Sequence, residues 1–203
     1  NKDGSIAPQL AEKWKISKDG KEYTFHLRKN VVFSDGEKFD AKAVKANFDA
    51  IMENKDRHGW LESVRLFNGF ETPDDYTFKI KLKEPYYPML IELGSIRPFR
   101  FISPKAMKNG KSTKNGVDKY IGTGPYVLKS NKTDEEAIFE VNEKYWGKKP
   151  AIKTIRVKVI PEEQTRALAL EKGDIDIVFG RDMIDSESFK KFKDKKGFSA
   201  IMS

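Results

Sequence analysis

The first third of the chain alternates apolar and polar positions in short runs separated by turn signals. Leu10 to Ile16 (LAEKWKI) alternates, SKDG supplies a turn, and Glu22 to Arg28 (EYTFHLR) alternates again, so a β-hairpin is predicted. Val31-Val32-Phe33 reads as a short strand ahead of the turn SDG at 34–36. The period then changes. Asp40 stands where an N-cap belongs, and Ala41, Val44, Phe48, Ile51 and Met52 recur at helical spacing, predicting a helix over 41–54. The polar and aromatic stretch KDRHGWLESV reads as a connection. Tyr76, Phe78, Ile80 and Leu82 of YTFKIKL share one face of a strand. Pro85 and Pro88 bracket Tyr86 and Tyr87, and Met89 to Leu93 suits a short helix.

Residues 108–119 (KNGKSTKNGVDK) have the composition of a loop. Gly122-Thr123-Gly124-Pro125 reads as a tight turn feeding a strand from Tyr126 to Ser130. Asn131 to Glu135 turns back into a strand over Ala137 to Val141, and Ile152 to Ile160 is a further strand. Pro161 fits a first helical position, Glu162 and Glu163 a first turn, and Gly173 a C-terminal stop. Gly173 to Phe179 (GDIDIVF) alternates acid and apolar residues and reads as a strand. Asp185 caps a last, lysine-rich helix that ends near Gly197. No internal repeat is present. Mostly strands with a few helices predicts an α+β domain with mixed sheets.

Composition adjusts this picture little. Apolar residues make up 38% of the 203 and charged residues 34%, but 14 Phe, 7 Tyr and 3 Trp supply the material for a core. The net charge of +8 comes from lysines scattered among acids, without a long basic tract. That pattern suits a solvated surface better than a nucleic-acid or membrane-binding face. The absence of cysteine excludes disulfides, thiolate nucleophiles and cysteine-based zinc sites. No apolar run approaches the roughly 20 residues that a membrane-spanning helix needs.

Enzyme motifs find no support. Asn109-Gly110-Lys111-Ser112 ends like a phosphate-binding loop, but Lys105 occupies the place of that motif's first glycine. Pro125 after Gly122-Thr123-Gly124 cannot donate a backbone N–H to a phosphate, so that turn reads as structural. His26 lies mid-strand, where a packed or surface histidine is the ordinary case. His58 in DRHGW has no histidine partner at metal-ligand spacing. Ser63 and Ser103 lack the GxSxG context of a hydrolase nucleophile. Asp174 and Asp176 face one way on their predicted strand, as on a solvated edge, and do not establish glycosidase chemistry.

What remains is cationic and aromatic. Arg57, His58 and Trp60 form one group, Tyr86 and Tyr87 a second, and the segment GSIRPFRFISP, with Arg97 and Arg100 among Pro98, Phe99 and Phe101, a third. Apolar surroundings normally reject charge. Guanidinium forks match carboxylates, and aromatic rings give flat walls for a small ligand. These groups therefore suit a pocket for a small anionic molecule, or, taken singly, ordinary surface structure.

The blocks IAPQLAEKWKISKDGKEYTFHLRKNVVFSDGEKFDAKAVKANFDAI, IGTGPYVL and VNEKYWGKKPAIKTIRVKVIPEEQTRALALEKGDIDIVFG resemble the first lobe of the family 5 extracellular solute-binding proteins. These are the dipeptide, oligopeptide and nickel receptors of ABC importers. RHGWLE at 57–62 and RPFRFISP at 97–104 resemble the nickel-binding receptors more than the peptide receptors. The resemblance implies that residues 1–203 form the mixed-sheet first lobe, in part, of a type II periplasmic binding protein. A second lobe of the same polypeptide would complete the site.

It further implies a transport receptor and not an enzyme. The receptor would carry no cofactor and take a small metal chelate, nickel foremost. In that family pattern Arg97 binds a chelator carboxylate and Trp60 lines the same cleft, while Arg57 and His58 belong to the matching motif. Tyr86 and Tyr87 are further candidates, and Arg100 is either a ligand contact or structural. No direct metal ligand is assigned here. The implied partner is an ABC permease, with no nucleic acid. The implied location is the periplasm, or the extracellular side of the membrane as a lipoprotein. A peptide or other metallophore receptor is the alternative within the family. A non-specific nucleic-acid-binding domain, favoured by charge alone, is the alternative of another class.

Overall fold

The computed structural model describes residues 3–117, 119–180 and 182–201. Two compact units divide the chain: Asn1–Lys129 with Phe139–Ile155, and Ser130–Ile138 with Arg156–Ser203. The elements run β1 (Ala11–Ile16), β2 (Glu22–Leu27), α1 (Ala41–Glu53), α2 (Lys55–His58), α3 (Glu62–Leu66), β3 (Phe67–Asp74), β4 (Thr77–Leu82) and α4 (Met89–Leu93). They continue with a 3₁₀ turn at Pro104–Ala106, β5 (Tyr126–Lys132), β6 (Glu136–Val141), β7 (Thr154–Lys158), α5 (Glu163–Lys172) and α6 (Ser186–Asp194). The α+β class expected from the pattern is what the chain adopts.

The first unit is built on a four-stranded sheet of order β1-β2-β4-β3, antiparallel at each junction. In β4 alternation sends Phe78, Ile80 and Leu82 into the core, opposite Tyr23 and Phe25 of β2. The β1–β2 turn closes through Gly20 at φ +69, and the Ser17 hydroxyl accepts from the Glu22 N–H at 2.9 Å. Helix α1 starts at Asp40, whose carboxylate accepts from the Ala43 N–H at 2.8 Å. It lays Val44, Phe48 and Ile51 against the sheet. Phe48 is the hub: its ring centroid lies 4.9 Å from Phe78, 5.0 Å from Phe70, 5.7 Å from Phe67 and 5.9 Å from Phe99.

Several segments differ from the pattern's expectation. Val31 to Phe33 makes only an isolated bridge, Val32 to Lys38, because the chain folds straight back on itself and Phe33 N–H donates to the Glu37 carbonyl. The stretch read as a connection holds α2 and α3, which are too short to display a helical period. Strand β3 was not expected. It lies at the sheet edge, where Pro73 and irregular register cost little.

The second unit contains α5 and α6. Glu162 is the N-cap of α5, so Pro161 stands one place outside the helix, and Gly173 closes it in the left-handed conformation. Asp185 caps α6, accepting from the Ser188 N–H at 2.8 Å. Glu171 on α5 pairs with Lys191 and Lys195 at 2.9 and 2.6 Å. Residues 173–179 form no strand, and Phe179 is 93% exposed. Alternation makes a strand only where a neighbour supplies a hydrogen-bond ladder, and no described strand pairs with this segment.

Candidate functional site

The placement of Arg97 and Arg100 follows from how the following segment is pinned. Asn47, buried on α1, donates through Nδ2 to the Ile102 carbonyl at 2.9 Å and accepts at Oδ1 from the Ile102 N–H at 3.0 Å. The Ser103 hydroxyl donates to the Asp35 carboxylate at 2.7 Å, and the Ser103 N–H to the Ile121 carbonyl at 2.9 Å. With residues 102 and 103 fixed, Phe99 turns into the core and Phe101 packs edge-on to Phe39 at 5.4 Å. Arg100 between them faces out, as does Arg97 in the turn after α4. Phe99 and Phe101 thus pack inward and leave the guanidinium groups in solvent, with Ile96 beside Arg97 exposed as well.

A second junction joins the segments around Trp60 and Tyr86. Glu92 on α4 accepts the Ser63 N–H at Oε2, 3.0 Å, and the Tyr86 hydroxyl at Oε1, 2.6 Å. Burial pushes the Glu92 carboxyl up. The bonds from Ser63 and Tyr86 outweigh it and hold the group below its usual range. The buried Ser63 hydroxyl lies beside this carboxylate without reaching hydrogen-bonding geometry. Tyr86 is pushed up to about 12, first by its bond to Glu92 and then by burial. Its hydroxyl is thereby committed to the protein.

The other candidates are open to solvent. Trp60 is 64% exposed and Tyr87 97% exposed, while Arg57 is exposed and His58 half-buried. Burial, and then the charge of Arg57, lower the His58 pKa, which favours neutral imidazole. Arginine partners divide the chain sharply. Arg28 donates to the Gln9 carbonyl and stacks on Trp146; Arg65 holds the Gly59 carbonyl and Glu62. Arg156 pairs with Glu136, and Arg166 binds three backbone carbonyls. Among the described residues Arg57, Arg97 and Arg100 have no ion pair and no side-chain hydrogen bond.

The Trp60 and Arg97 segments both lead into the Glu92 junction. Trp60 stands three residues before Ser63, and Arg97 five residues after Glu92. Asn47 and Glu92 were not singled out from sequence, and Ser103 was weighed only as a hydrolase nucleophile, since a lone Asn, Ser or Glu carries no spacing signal. Among the described residues no group of three or more His, Cys, Asp or Glu side chains is arranged to hold a metal, and no helix is long and apolar enough to cross a membrane. Gly122 to Pro125 is structural: the Gly124 and Pro125 carbonyls accept from the Asn142 side chain and N–H, each at 2.8 Å.

The chain is 44% identical over 202 residues to the nickel-binding periplasmic protein of Escherichia coli K12, an alignment covering 99% of this chain and 38% of that protein. Its structure is similar to that of NikA from Brucella suis in complex with Fe(III)-EDTA, with a TM-score of 0.92 and 49% identity over 95% of this chain and 39% of that one. It is also similar to DppA from Helicobacter pylori in complex with the peptide STSA, with a TM-score of 0.80 and 30% identity over 95% of this chain and 41% of that one. The chain therefore spans about two fifths of the length of these relatives. The family model of the bacterial extracellular solute-binding proteins, family 5 Middle, matches residues 5–201. The family model's match over residues 5–201 and the likeness along nearly the whole chain lead to one conclusion: the chain belongs to family 5 of the bacterial extracellular solute-binding proteins.

Proposed function

We propose that this chain is the ligand-facing part of a receptor that captures a transition metal, nickel foremost, as a small carboxylate chelate and delivers it to an ABC permease. The observation that carries this reading is the set of solvent-facing guanidinium groups, Arg57, Arg97 and Arg100, without protein partners among the described residues. A guanidinium that the fold leaves unpaired is free to take an anion from outside. In this reading Arg97 forms a forked pair with a chelator carboxylate. The indole of Trp60 covers the chelate and excludes water from that pair, which strengthens it. Arg57 adds positive charge, and neutral His58 adds none that would oppose a bound cation. A second lobe closes over the ligand by hinge motion. The relatives named for nickel and for Fe(III)-EDTA support a chelate as the ligand class. The periplasmic setting of the Escherichia coli relative supports capture outside the cytoplasmic membrane, by a free or lipid-anchored receptor.

Calorimetric titration of the full-length receptor tests this, first with nickel alone and then with nickel plus excess histidine. Tight binding only with histidine is the expected result. Tight binding of bare nickel moves the site to direct protein ligands and overturns the role of the arginines. Silence in both favours the second reading, a peptide receptor, which the structural likeness to the peptide-bound relative supports. A panel of dipeptides then replaces nickel in the cell.

A further inference from the structure

We infer that Glu92 is the positioning residue of the candidate site, the carboxylate that holds the Trp60 segment in register with the Arg97 turn. The inference rests on the chelate reading above for its functional consequence and on geometry for everything else. Trp60 is largely exposed and makes no hydrogen bond among the described residues, so its place depends on the backbone that flanks it. On one side the Arg65 guanidinium holds the Gly59 carbonyl at 2.9 Å. On the other the chain enters α3, whose N-cap residue Leu61 offers no side-chain cap. The missing acceptor comes from Glu92, 29 residues away in sequence, at 3.0 Å from the Ser63 nitrogen.

The second oxygen of Glu92 explains why this anchor is stiff. It accepts the Tyr86 hydroxyl at 2.6 Å, and the Tyr86 carbonyl in turn accepts the hydroxyl of Tyr23 at 3.0 Å. Tyr23 is a buried residue of the central strand β2. Hydrogen bonds linked through the covalent frame of Tyr86 therefore run from Tyr23 of the sheet through Tyr86 and Glu92 to Ser63 in the first turn of α3. The Glu92 carbonyl closes the other arm by accepting the Ser95 N–H at 2.9 Å at the end of α4, two residues before Arg97. One residue thus grips the indole-bearing segment with its side chain and the guanidinium-bearing turn with its backbone. The backbone bond is one that any residue ending α4 would make; what the carboxylate adds is the grip on the Ser63 N–H, which ties α3 to α4. Sub-ångström placement of ligand-gripping groups is what such supporting bonds provide.

The test uses the full-length receptor labelled with 5-fluorotryptophan, the Trp60 resonance being assigned from Trp60→Phe. In Glu92→Leu the resonance of the ligand-free protein is expected to shift or broaden. Affinity for nickel–histidine is expected to fall about tenfold or more, the order that loss of two anchoring bonds produces. Glu92→Gln keeps an acceptor for the Ser63 N–H and offers an N–H to the Tyr86 oxygen, so it restores both readouts. An unmoved Trp60 resonance in Glu92→Leu overturns the inference, as does a moved resonance with unchanged affinity. If the wild type itself ignores nickel–histidine while the resonance moves, positioning stands and the chelate reading falls. If Glu92→Leu does not fold, Tyr86→Phe takes its place, because losing the orienting hydroxyl should move the same resonance. An unmoved signal there also overturns the inference.

Discussion

Arg97 and Tyr86 show how one side chain's partners decide its task. Tyr86 looked from sequence like a flat wall beside a ligand, but its hydroxyl is spent on Glu92. Its pKa is pushed up to about 12 by that bond and by burial. A raised value means that the neutral phenol's stabilisation is complete below the ordinary value of 10.0 and is lost as pH rises through about 12. A difference absorbance titration of wild type against Tyr86→Phe should therefore show one phenol ionising well above the rest. A missing phenol that titrates at the ordinary value would refute this. Arg97, by contrast, has no partner among the described residues, so its alanine variant leaves nothing behind unpaired in the empty protein. Arg97→Ala should leave the melting temperature of the ligand-free receptor unchanged and weaken chelate binding by about 2–5 kcal/mol, the range for a desolvated charge pair. Unchanged affinity by calorimetry would remove Arg97 from the site.

Helices and strands were legible where their period had room to repeat. The helix expected over 41–54 is α1, with Asp40 as its cap, and the hairpin of β1 and β2 lies where alternation placed it. The helices α2 and α3 were missed because four and five residues cannot show a 3.6-residue period and no proline precedes them, whereas the equally short α4 was read at Met89–Leu93, after Pro88. The strand expected at 173–179 is absent because alternation describes two faces but does not provide a partner. In the second unit, α5 and α6 are joined through Glu171, whose pKa falls from 4.5 to about 2, chiefly through bonds from Lys195 and Lys191. A depressed carboxyl contributes stability above its ordinary value, and that contribution is lost as pH falls from 4.5 through about 2. Amide exchange in α6 should accordingly quicken across that window relative to the rest of the chain. Glu171→Gln should remove the dependence, and an α6 equally protected at both ends would contradict the pairing.

The long-range associations are where sequence reading ended. Rings separated widely in sequence, from Phe48 to Phe99, meet in one core in the first unit. Phe48→Ala opens a cavity at its centre and should cost about 3–5 kcal/mol in urea unfolding, against an expected loss under about 1 kcal/mol if the rings merely lined the surface. The candidate residues were chosen from sequence for their chemistry, because arginine near tryptophan and tyrosine suits a small anion. Family membership and the α+β class were readable, since periodicity and ordered blocks are local properties of the chain. Which arginines would be left without partners was not readable. That depends on where every carboxylate and carbonyl comes to rest: Arg28, Arg65, Arg156 and Arg166 find partners, and Arg57, Arg97 and Arg100 find none among the described residues. Nor could the junction at Glu92 be foreseen. A hydrogen bond that spans 29 residues has no period, only a distance, and distance exists only once the chain is folded.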